Sequence, residues 1–279
     1  MQDPLPVSRF ALNHMAAPRL DIADFFALAA RLGIRNVEIR NDLPGRAILD
    51  GKPAHEVRDA AGRAGLTIVS INALQRFNEW TPQREAEAVT LADHAAACGA
   101  KALVLVPVND GSGRGDSERK ANLRLALEAL APILSERGVL GLVEPLGFES
   151  CSLRSKAEAV EAIDSTGCGD RFRLVHDTFH HHLAGDRRLF PERTGLVHIS
   201  GVADPSVAIA EMRDPHRMLV DAADRLGNAS QIEMLLAGGY AGLFSFEPFA
   251  PEVHALPDLA PALRRSMDFI NSELSRPAA

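Results

Sequence analysis

The sequence predicts an α/β fold, a (β/α)₈ barrel formed by a single domain over residues 1–279. Three observations predict this fold. Short aliphatic runs alternate eight times with longer amphipathic segments rich in Ala and Leu. Several of these runs stay apolar almost to their last residues, which is typical of parallel strands buried on both faces. The length of 279 residues also matches the usual size of such a barrel.

The aliphatic runs are the predicted strands. In order they are Arg9–Asn13, Asn36–Arg40, Thr67–Asn72, Ala102–Pro107, Val139–Glu144, Phe172–Asp177, Gly195–Ser200 and Gly242–Glu247. A doubly wound open sheet is the rival architecture, and it usually carries a glycine-rich phosphate loop after its first strand. Residues 13–18 contain no glycine, so the barrel is favoured.

The segments between the strands carry helix signals. One apolar helix face is predicted from Ile22, Phe25, Phe26, Ala29 and Leu32. Thr81-Pro82 predicts a helix start, because Thr caps a helix and Pro suits its first turn. Ser155 with Glu158, and Ser230 with Glu233, have the spacing of capping boxes. Left-handed helix ends are predicted at Gly33, Gly65, Gly99 and Gly138.

The composition excludes several classes of protein. Acidic residues outnumber basic ones by 37 to 30, which argues against a nucleic-acid backbone as the main partner. The longest apolar run, Ala102–Val108, is too short to cross a bilayer, and the first residues do not resemble a secretory signal. Three cysteines without a C-x-x-C spacing indicate reduced thiols. We therefore expect a cytoplasmic protein without nucleic-acid or membrane partners.

Polar side chains close the last four predicted strands. Glu144, Asp177, His198 and Glu247 stand at or near the ends of strands five to eight. In a barrel these strand ends converge on one mouth, where active sites lie. Taken singly, each residue is as well explained by a helix cap, a solvated loop or a core hydrogen bond. Taken together, four residues of types that bind metals, all at one face, favour a functional site.

Three carboxylates in one pocket repel each other, and a divalent cation removes that conflict. Oxygen-rich ligation with one imidazole favours Mn²⁺, Mg²⁺ or Co²⁺, with Zn²⁺ as a further candidate. The sequence therefore predicts one divalent metal with open positions for two substrate oxygens.

The chain resembles the sugar isomerase/epimerase family of xylose-isomerase-like barrels, and within it most closely the inosose (2-keto-myo-inositol) isomerases. The resemblance runs over nearly the whole length. It rests on Asn13-His14, Val37–Arg40, Ile71–Leu74, Val143–Pro145, Asp177–His180, Val197–Ile199 and Phe246–Pro248. It implies that Glu144, Asp177, His198 and Glu247 bind one divalent metal. It further implies a role in inositol catabolism or related carbohydrate metabolism. It also implies that His180 holds a substrate hydroxyl.

Further residues are predicted to bind substrate. Arg40, Asn72 and His14 lie where polar side chains can line the mouth, although rim salt bridges or a loop hydrogen bond explain them equally well. Relatives often carry an Arg before a Pro-Gly-x-Gly stretch after strand seven. Its predicted counterpart is Arg225, in a stretch without the proline. The long connection 203–228 is expected to help build the pocket.

The predicted reaction is isomerisation or epimerisation of a polyhydroxylated ketone, an inosose or a ketose. Removal of a proton beside the carbonyl is eased when a metal chelates the carbonyl and the adjacent hydroxyl and stabilises the enediolate. Glu144 and Glu247 are the predicted acid/base pair. Return of the proton at the neighbouring carbon isomerises the substrate, and return on the opposite face epimerises it.

Other functions stay open at this point. A lyase resembling 3-dehydroshikimate dehydratase starts with the same proton removal. A barrel that only binds sugar is another alternative, but it would not need the electrophilic metal that the four predicted ligands indicate. A nuclease of the endonuclease IV type would need more His ligands and a basic DNA groove, whereas this chain is acidic. Barrels of this kind often associate, so a homo-oligomer is a further open alternative.

Overall fold

The computed structural model describes residues 4–276, in which eight parallel strands form a closed barrel. The strands pair in chain order, and the eighth pairs with the first. At this closing seam Phe10 lies opposite Phe244 and Leu12 opposite Phe246. The predicted (β/α)₈ fold is therefore confirmed.

The strands lie close to their predicted positions. They are β1 (Phe10–Asn13), β2 (Asn36–Arg40), β3 (Thr67–Gln75), β4 (Ala102–Val106), β5 (Leu140–Val143), β6 (Phe172–Asp177), β7 (Thr194–Ile199) and β8 (Phe244–Phe246). The largest extension is in β3, which continues past the predicted end at Asn72 because Leu74 and Gln75 still pair with β4. The alternation of apolar runs thus located every strand of the barrel.

Helices surround the barrel. They are α1 (Ile22–Leu32), α2 (Ala54–Arg63), α3 (Pro82–Cys98), α4 (Asp116–Glu136), α5 (Lys156–Ser165), α6 (Thr178–Ala184), α7 (Asn228–Ala237), α8 (Pro251–His254) and α9 (Ala260–Leu274). Their buried apolar side chains pack on the outer face of the strands and form the main core. A search of the described chain for a helix able to cross a bilayer, by length and hydropathy, found none.

Most of the predicted helix signals are confirmed. Thr81 Oγ1 accepts a hydrogen bond from the backbone N–H three residues later at 3.1 Å. Ser155 Oγ accepts from the Glu158 N–H at 3.3 Å, but the Glu158 carboxylate binds Arg119 at 2.6 Å, so only half of that capping box forms. All four predicted glycines have a positive φ, between 64° and 80°.

The predicted cap at Ser230 is wrong. Helix α7 begins earlier, at Asn228, and follows Gly227 in the left-handed region. The Asn228 N–H donates to Asp224 Oδ2 at 2.9 Å. Because a carboxylate from the preceding loop satisfies this N–H, the helix starts without the Ser230 hydroxyl.

The inside of the barrel has an apolar layer, followed by a polar layer nearer to the carboxyl ends of the strands. Side chains alternate between the two faces of each strand, so residues two apart point to the same side. The apolar layer contains Ala73, Ala102, Val104, Leu142, Val175 and Leu196. Asp177 and His198 each follow a residue of this layer by two positions, which places them above it, at the mouth.

Candidate metal centre and active site

The four predicted metal ligands lie together at the barrel mouth. Glu144 follows β5, Asp177 ends β6, His198 lies in β7 and Glu247 follows β8. One ligand atom from each lies within 4.8 Å of the others, and all four residues are buried. The strand ends therefore place three carboxylates and one imidazole around a common point.

His198 turns one ring nitrogen toward this point. Its Nδ1 lies 2.9 Å from Glu144 Oε1, 3.2 Å from Glu247 Oε2 and 3.9 Å from Asp177 Oδ2. The other nitrogen, Nε2, lies 3.2 Å from Glu38, on the far side of the ring. His198 therefore presents Nδ1 to the cluster and Nε2 to the barrel wall.

Arg217 is a site residue that sequence reasoning missed. It is 1% exposed, and its Nη2 donates to Asp177 Oδ2 at 2.6 Å and to Glu247 Oε2 at 2.9 Å. Its Nε donates to Ser200 Oγ at 3.0 Å. The one available signal was the length of the loop after β7, which was predicted to help build the pocket.

Arg225, which is predicted to bind substrate, lies away from the cavity at the mouth. Arg225 Nη1 donates to the backbone carbonyls of Asp204 and Val207, within the same loop. Arg225 is absent from the lining of the cavity at the mouth, where Arg217 is found instead. The long loop folds back on itself, so the arginine nearer to β7 reaches the centre.

Arg40 and Asn72 line the cavity as predicted. Arg40 donates through Nη1 to Glu247 Oε1 at 2.7 Å, and it forms a two-pronged ion pair with Asp42 at 2.7 and 2.8 Å. Asn72 donates to Glu38 Oε2 at 2.8 Å. The salt bridge considered as the alternative for Arg40 does form, and it includes a predicted metal ligand.

The two predicted histidines have different surroundings. His180 lines the cavity, and its buried Nδ1 has no hydrogen-bond partner among the described residues. His14 does not line it: its Nε2 bonds to the Leu20 carbonyl at 3.0 Å, and its ring stacks on Phe25. Burial lowers the pKa of His14 to about 4. His14 is therefore held by the loop hydrogen bond that was its alternative explanation.

The cavity at the mouth has a volume of about 240 Å³. Glu144 and Glu247 line it, whereas His198 and Asp177 lie fully buried beneath. Asn109, Phe148 and Asp214 also border an adjacent cavity of about 710 Å³. The two cavities therefore lie side by side, and the carboxylates line the smaller one.

The two candidate acid/base residues differ in their electrostatics. Burial raises the pKa of Glu144. Burial acts in the same direction on Glu247, but His198, Arg217 and Arg40 outweigh it and lower the pKa of that carboxyl. Glu247 is therefore held ionised, while Glu144 binds a proton more readily.

The donor set fits a divalent cation. Burial disfavours the protonated form of His198, yet Glu247, Glu38 and Glu144 together raise its pKa well above the usual value. The surroundings of the ring therefore attract positive charge strongly. Three carboxylates and a neutral imidazole nitrogen at one point suit Mn²⁺, Mg²⁺, Co²⁺ or Zn²⁺.

Comparisons with known proteins identify the family and the fold. The family described as xylose isomerase-like TIM barrel matches residues 26–273. A xylose isomerase domain containing protein from Salmonella typhimurium LT2 is 34% identical over 98% of each chain, with a TM-score of 0.88. No curated protein matches the sequence.

Two further solved structures share the fold. The IOLI protein with a bound zinc atom is 20% identical over 96% of this chain and 98% of its own, with a TM-score of 0.83. D-allulose 3-epimerase from Methylomonas sp., in complex with D-allulose, is 19% identical over 98% of each chain, with a TM-score of 0.68.

Proposed function

The chain belongs to the xylose isomerase-like TIM barrel family, and we propose that it is a divalent-metal-dependent isomerase or epimerase of a polyhydroxylated ketone. The single observation that carries this proposal is the buried cluster of Glu144, Asp177, His198 and Glu247. An inosose or a ketose is the proposed substrate. The zinc-bound IOLI protein and the D-allulose complex of a 3-epimerase, both of the same fold, support this class of reaction.

We propose that all four clustered residues hold the metal. When bound, the ion would act as a Lewis acid toward the carbonyl and neighbouring hydroxyl of the substrate. The buried Asp177 and His198 have no place on the cavity wall, which suits residues that only hold a metal. Glu144 and Glu247 do line the cavity, which suits residues that also face a substrate.

Glu144 and Glu247 are the proposed acid/base pair. Glu144 has the raised pKa, and it is therefore suited to take a proton from carbon and to keep it until it is returned. Glu247 is held by Arg40 and Arg217, which fix the position of its carboxylate. Return of the proton to the adjacent carbon gives isomerisation, and return to the opposite face gives epimerisation.

The remaining polar residues are proposed to orient the substrate. Arg40, Arg217 and His180 border the cavity, and the buried Nδ1 of His180 has no hydrogen-bond partner among the described residues. The predicted absence of nucleic-acid and membrane partners, the cytoplasmic location and the oligomeric state stay predictions.

Deuterium exchange tests the proposed function. Protein loaded with Mn²⁺, Co²⁺ or Zn²⁺ is incubated in D₂O with a panel of inososes and ketoses. We expect metal-dependent incorporation of deuterium beside the carbonyl, and the labelled carbon identifies the substrate class. At a metal concentration that saturates the variant, Glu247→Gln is expected to slow exchange about 100-fold or more, since an acid/base residue contributes on that order.

The matched control is Glu128→Gln, the same change on an exposed residue of α4. Wild-type exchange in Glu247→Gln would contradict its role as a base. Loss of water with a new ultraviolet absorbance would instead indicate the lyase, and tight sugar binding without any exchange would indicate a binding protein.

A further inference from the structure

Glu38, at the inner face of β2, is a buried carboxylate that the proposed reaction does not use. It is 0% exposed, and side chains from four neighbouring strands surround it. Two amides and two hydroxyls donate to it: Asn13 Nδ2 at 3.2 Å, Ser70 Oγ at 2.6 Å, Asn72 Nδ2 at 2.8 Å and Ser245 Oγ at 2.5 Å. Both carboxylate oxygens are therefore already occupied by donors.

The orientation of the Asn13 donor is set by another contact. Asn13 Oδ1 accepts from the Met15 N–H at 2.9 Å, which turns the Asn13 amide nitrogen toward Glu38. Asn13 and Ser70 also lie directly opposite Glu38 in the strand pairing. The wall of the barrel thus holds Glu38 in one position and as an acceptor.

The fifth group at Glu38 is the imidazole of His198. Its Nε2 lies 3.2 Å from Glu38 Oε2, and its Nδ1 faces Glu144 and Glu247 on the opposite side of the ring. An ionised carboxylate only accepts hydrogen bonds, so Nε2 carries a proton toward Glu38. Nδ1 also faces carboxylates, but these form the candidate metal site, where a bound cation would take the place of an Nδ1 proton. In a neutral ring the proton on Nε2 leaves the lone pair on Nδ1.

We propose that Glu38 is a positioning residue, which holds the Nε2 proton of His198 and thereby makes Nδ1 the metal-binding atom. This inference rests on the proposed function, since it concerns the same metal centre. Glu38 is not a fifth ligand, because it contacts His198 through Nε2, on the side of the ring away from the cluster, and it is not one of the four residues whose ligand atoms lie within 4.8 Å of one another. A carboxylate behind a metal-bound histidine fixes the ring and increases the basicity of the ligand nitrogen.

Glu38→Gln tests this role with little change in volume. An amide has one acceptor oxygen, so its NH₂ group must face either the Asn13 side or the Asn72 side, where donors already lie. We expect Zn²⁺ affinity, measured by titration calorimetry, to fall about 10-fold to 100-fold. Glu128→Gln on the exposed face of α4 is the matched control and is expected to bind Zn²⁺ like the wild type.

A second readout reports the tautomer itself. In protein labelled with ¹⁵N-histidine and loaded with Zn²⁺, long-range proton–nitrogen spectra show which nitrogen of His198 carries hydrogen, with His198→Gln used for assignment. We expect a proton on Nε2 and zinc on Nδ1 in the wild type. Ser245→Ala, which removes one donor to Glu38 and keeps the charge, should lower Zn²⁺ affinity less than Glu38→Gln and serves if the latter does not fold.

The outcomes separate this inference from the proposed function. Unchanged Zn²⁺ affinity in Glu38→Gln and Ser245→Ala, or a proton on Nδ1 in the zinc-loaded wild type, overturns the positioning role. Zinc bound with the expected tautomer but without deuterium exchange on any ketone overturns the proposed function alone. Failure of the wild type to bind a divalent metal overturns both.

Discussion

At the level of single residues, the charge balance of the mouth depends on Arg217. Asp177 and Glu247 lie on either side of its Nη2, and Arg40 reaches Glu247 from the other direction. Buried carboxylates are costly unless a cation accompanies them. In the absence of metal, the arginines therefore supply much of the positive charge that the carboxylates require.

Arg217→Met is expected to destabilise the metal-free protein by about 3–5 kcal/mol, since it leaves two buried carboxylates without this partner. A divalent cation then replaces part of the lost charge, so adding Zn²⁺ should raise the melting temperature more in the variant than in the wild type. Thermal unfolding with a chelator and with Zn²⁺ measures both effects. Arg225→Met, in the same loop, is the control. An equal rise in the melting temperature of Arg217→Met and of the wild type on adding Zn²⁺ would contradict the prediction.

The residues that could be predicted share one property, a place at the end of an apolar strand. Glu144, Asp177 and His198 were found because strand ends in a barrel converge on one mouth. Arg217 escaped because loop residues follow no period, and the arginine chosen instead, Arg225, folds onto backbone carbonyls. Glu38 could be placed in the second predicted strand, but its hydrogen-bond partners depend on strand register, which the sequence does not show.

At the level of elements, the connection after β5 packs closely against α6. An added Cβ at Gly147 would lie 2.3 Å from the His180 carbonyl oxygen and 2.5 Å from Leu183 Cβ. Both contacts are far too short, and one of them involves backbone. The absence of a side chain at Gly147 therefore allows the close approach of α6, the helix that contains His180.

Gly147→Ala is expected to push α6 outward, to lower the free energy of unfolding by about 1–3 kcal/mol and to weaken substrate binding. Gly62→Ala in α2 is the matched control. Its added Cβ meets nothing within 4 Å, so about 0.5–1 kcal/mol of stabilisation is expected there. Urea unfolding of both variants measures the difference, and similar midpoints would contradict the assignment of a close contact to Gly147.

The strands could be predicted because burial on both faces imposes a continuous apolar pattern, and the bounds of β2 and β6 agree to the residue. Helix starts were less certain. Thr81 caps α3 with its own hydroxyl, whereas α7 is capped by Asp224 from the loop before it. A contact of that kind depends on how the loop folds, which local sequence spacing does not reveal.

At the level of the whole molecule, stability is expected to depend on pH through Lys156, a buried lysine outside the mouth. Its Nζ lies 2.6 Å from His181 Nδ1, and the residue is 3% exposed. Burial lowers the pKa of Lys156 to about 7, against opposing effects of Asp186 and Asp177. The unfolded chain keeps this proton up to about pH 10.5.

Between about pH 7 and pH 10.5 the unfolded state binds more protons than the folded state at this residue, so its contribution makes stability rise with pH. Below pH 7 the folded protein bears the full cost of a buried ammonium. Lys156→Met should therefore stabilise the protein by about 4–5 kcal/mol at pH 6 and by much less at pH 10.

Urea unfolding at the two pH values measures this dependence, and comparison with the wild type cancels the titration of other groups. Lys101→Met, at an exposed position, is the control and should show no such change with pH. A gain of equal size at pH 6 and pH 10 would show that better packing, rather than removal of a charge, stabilises the variant.

The four clustered ligands and Arg217 are anchored in different ways. The ligands stand in or directly after strands, while Arg217 is carried by a connection that returns to the barrel where Gly201 and Met218 exchange backbone hydrogen bonds at 2.7 and 2.8 Å. A change in the length or conformation of this connection can therefore move Arg217 while the strands stay in place. The charge and shape of the mouth can then be altered separately from the four candidate ligands.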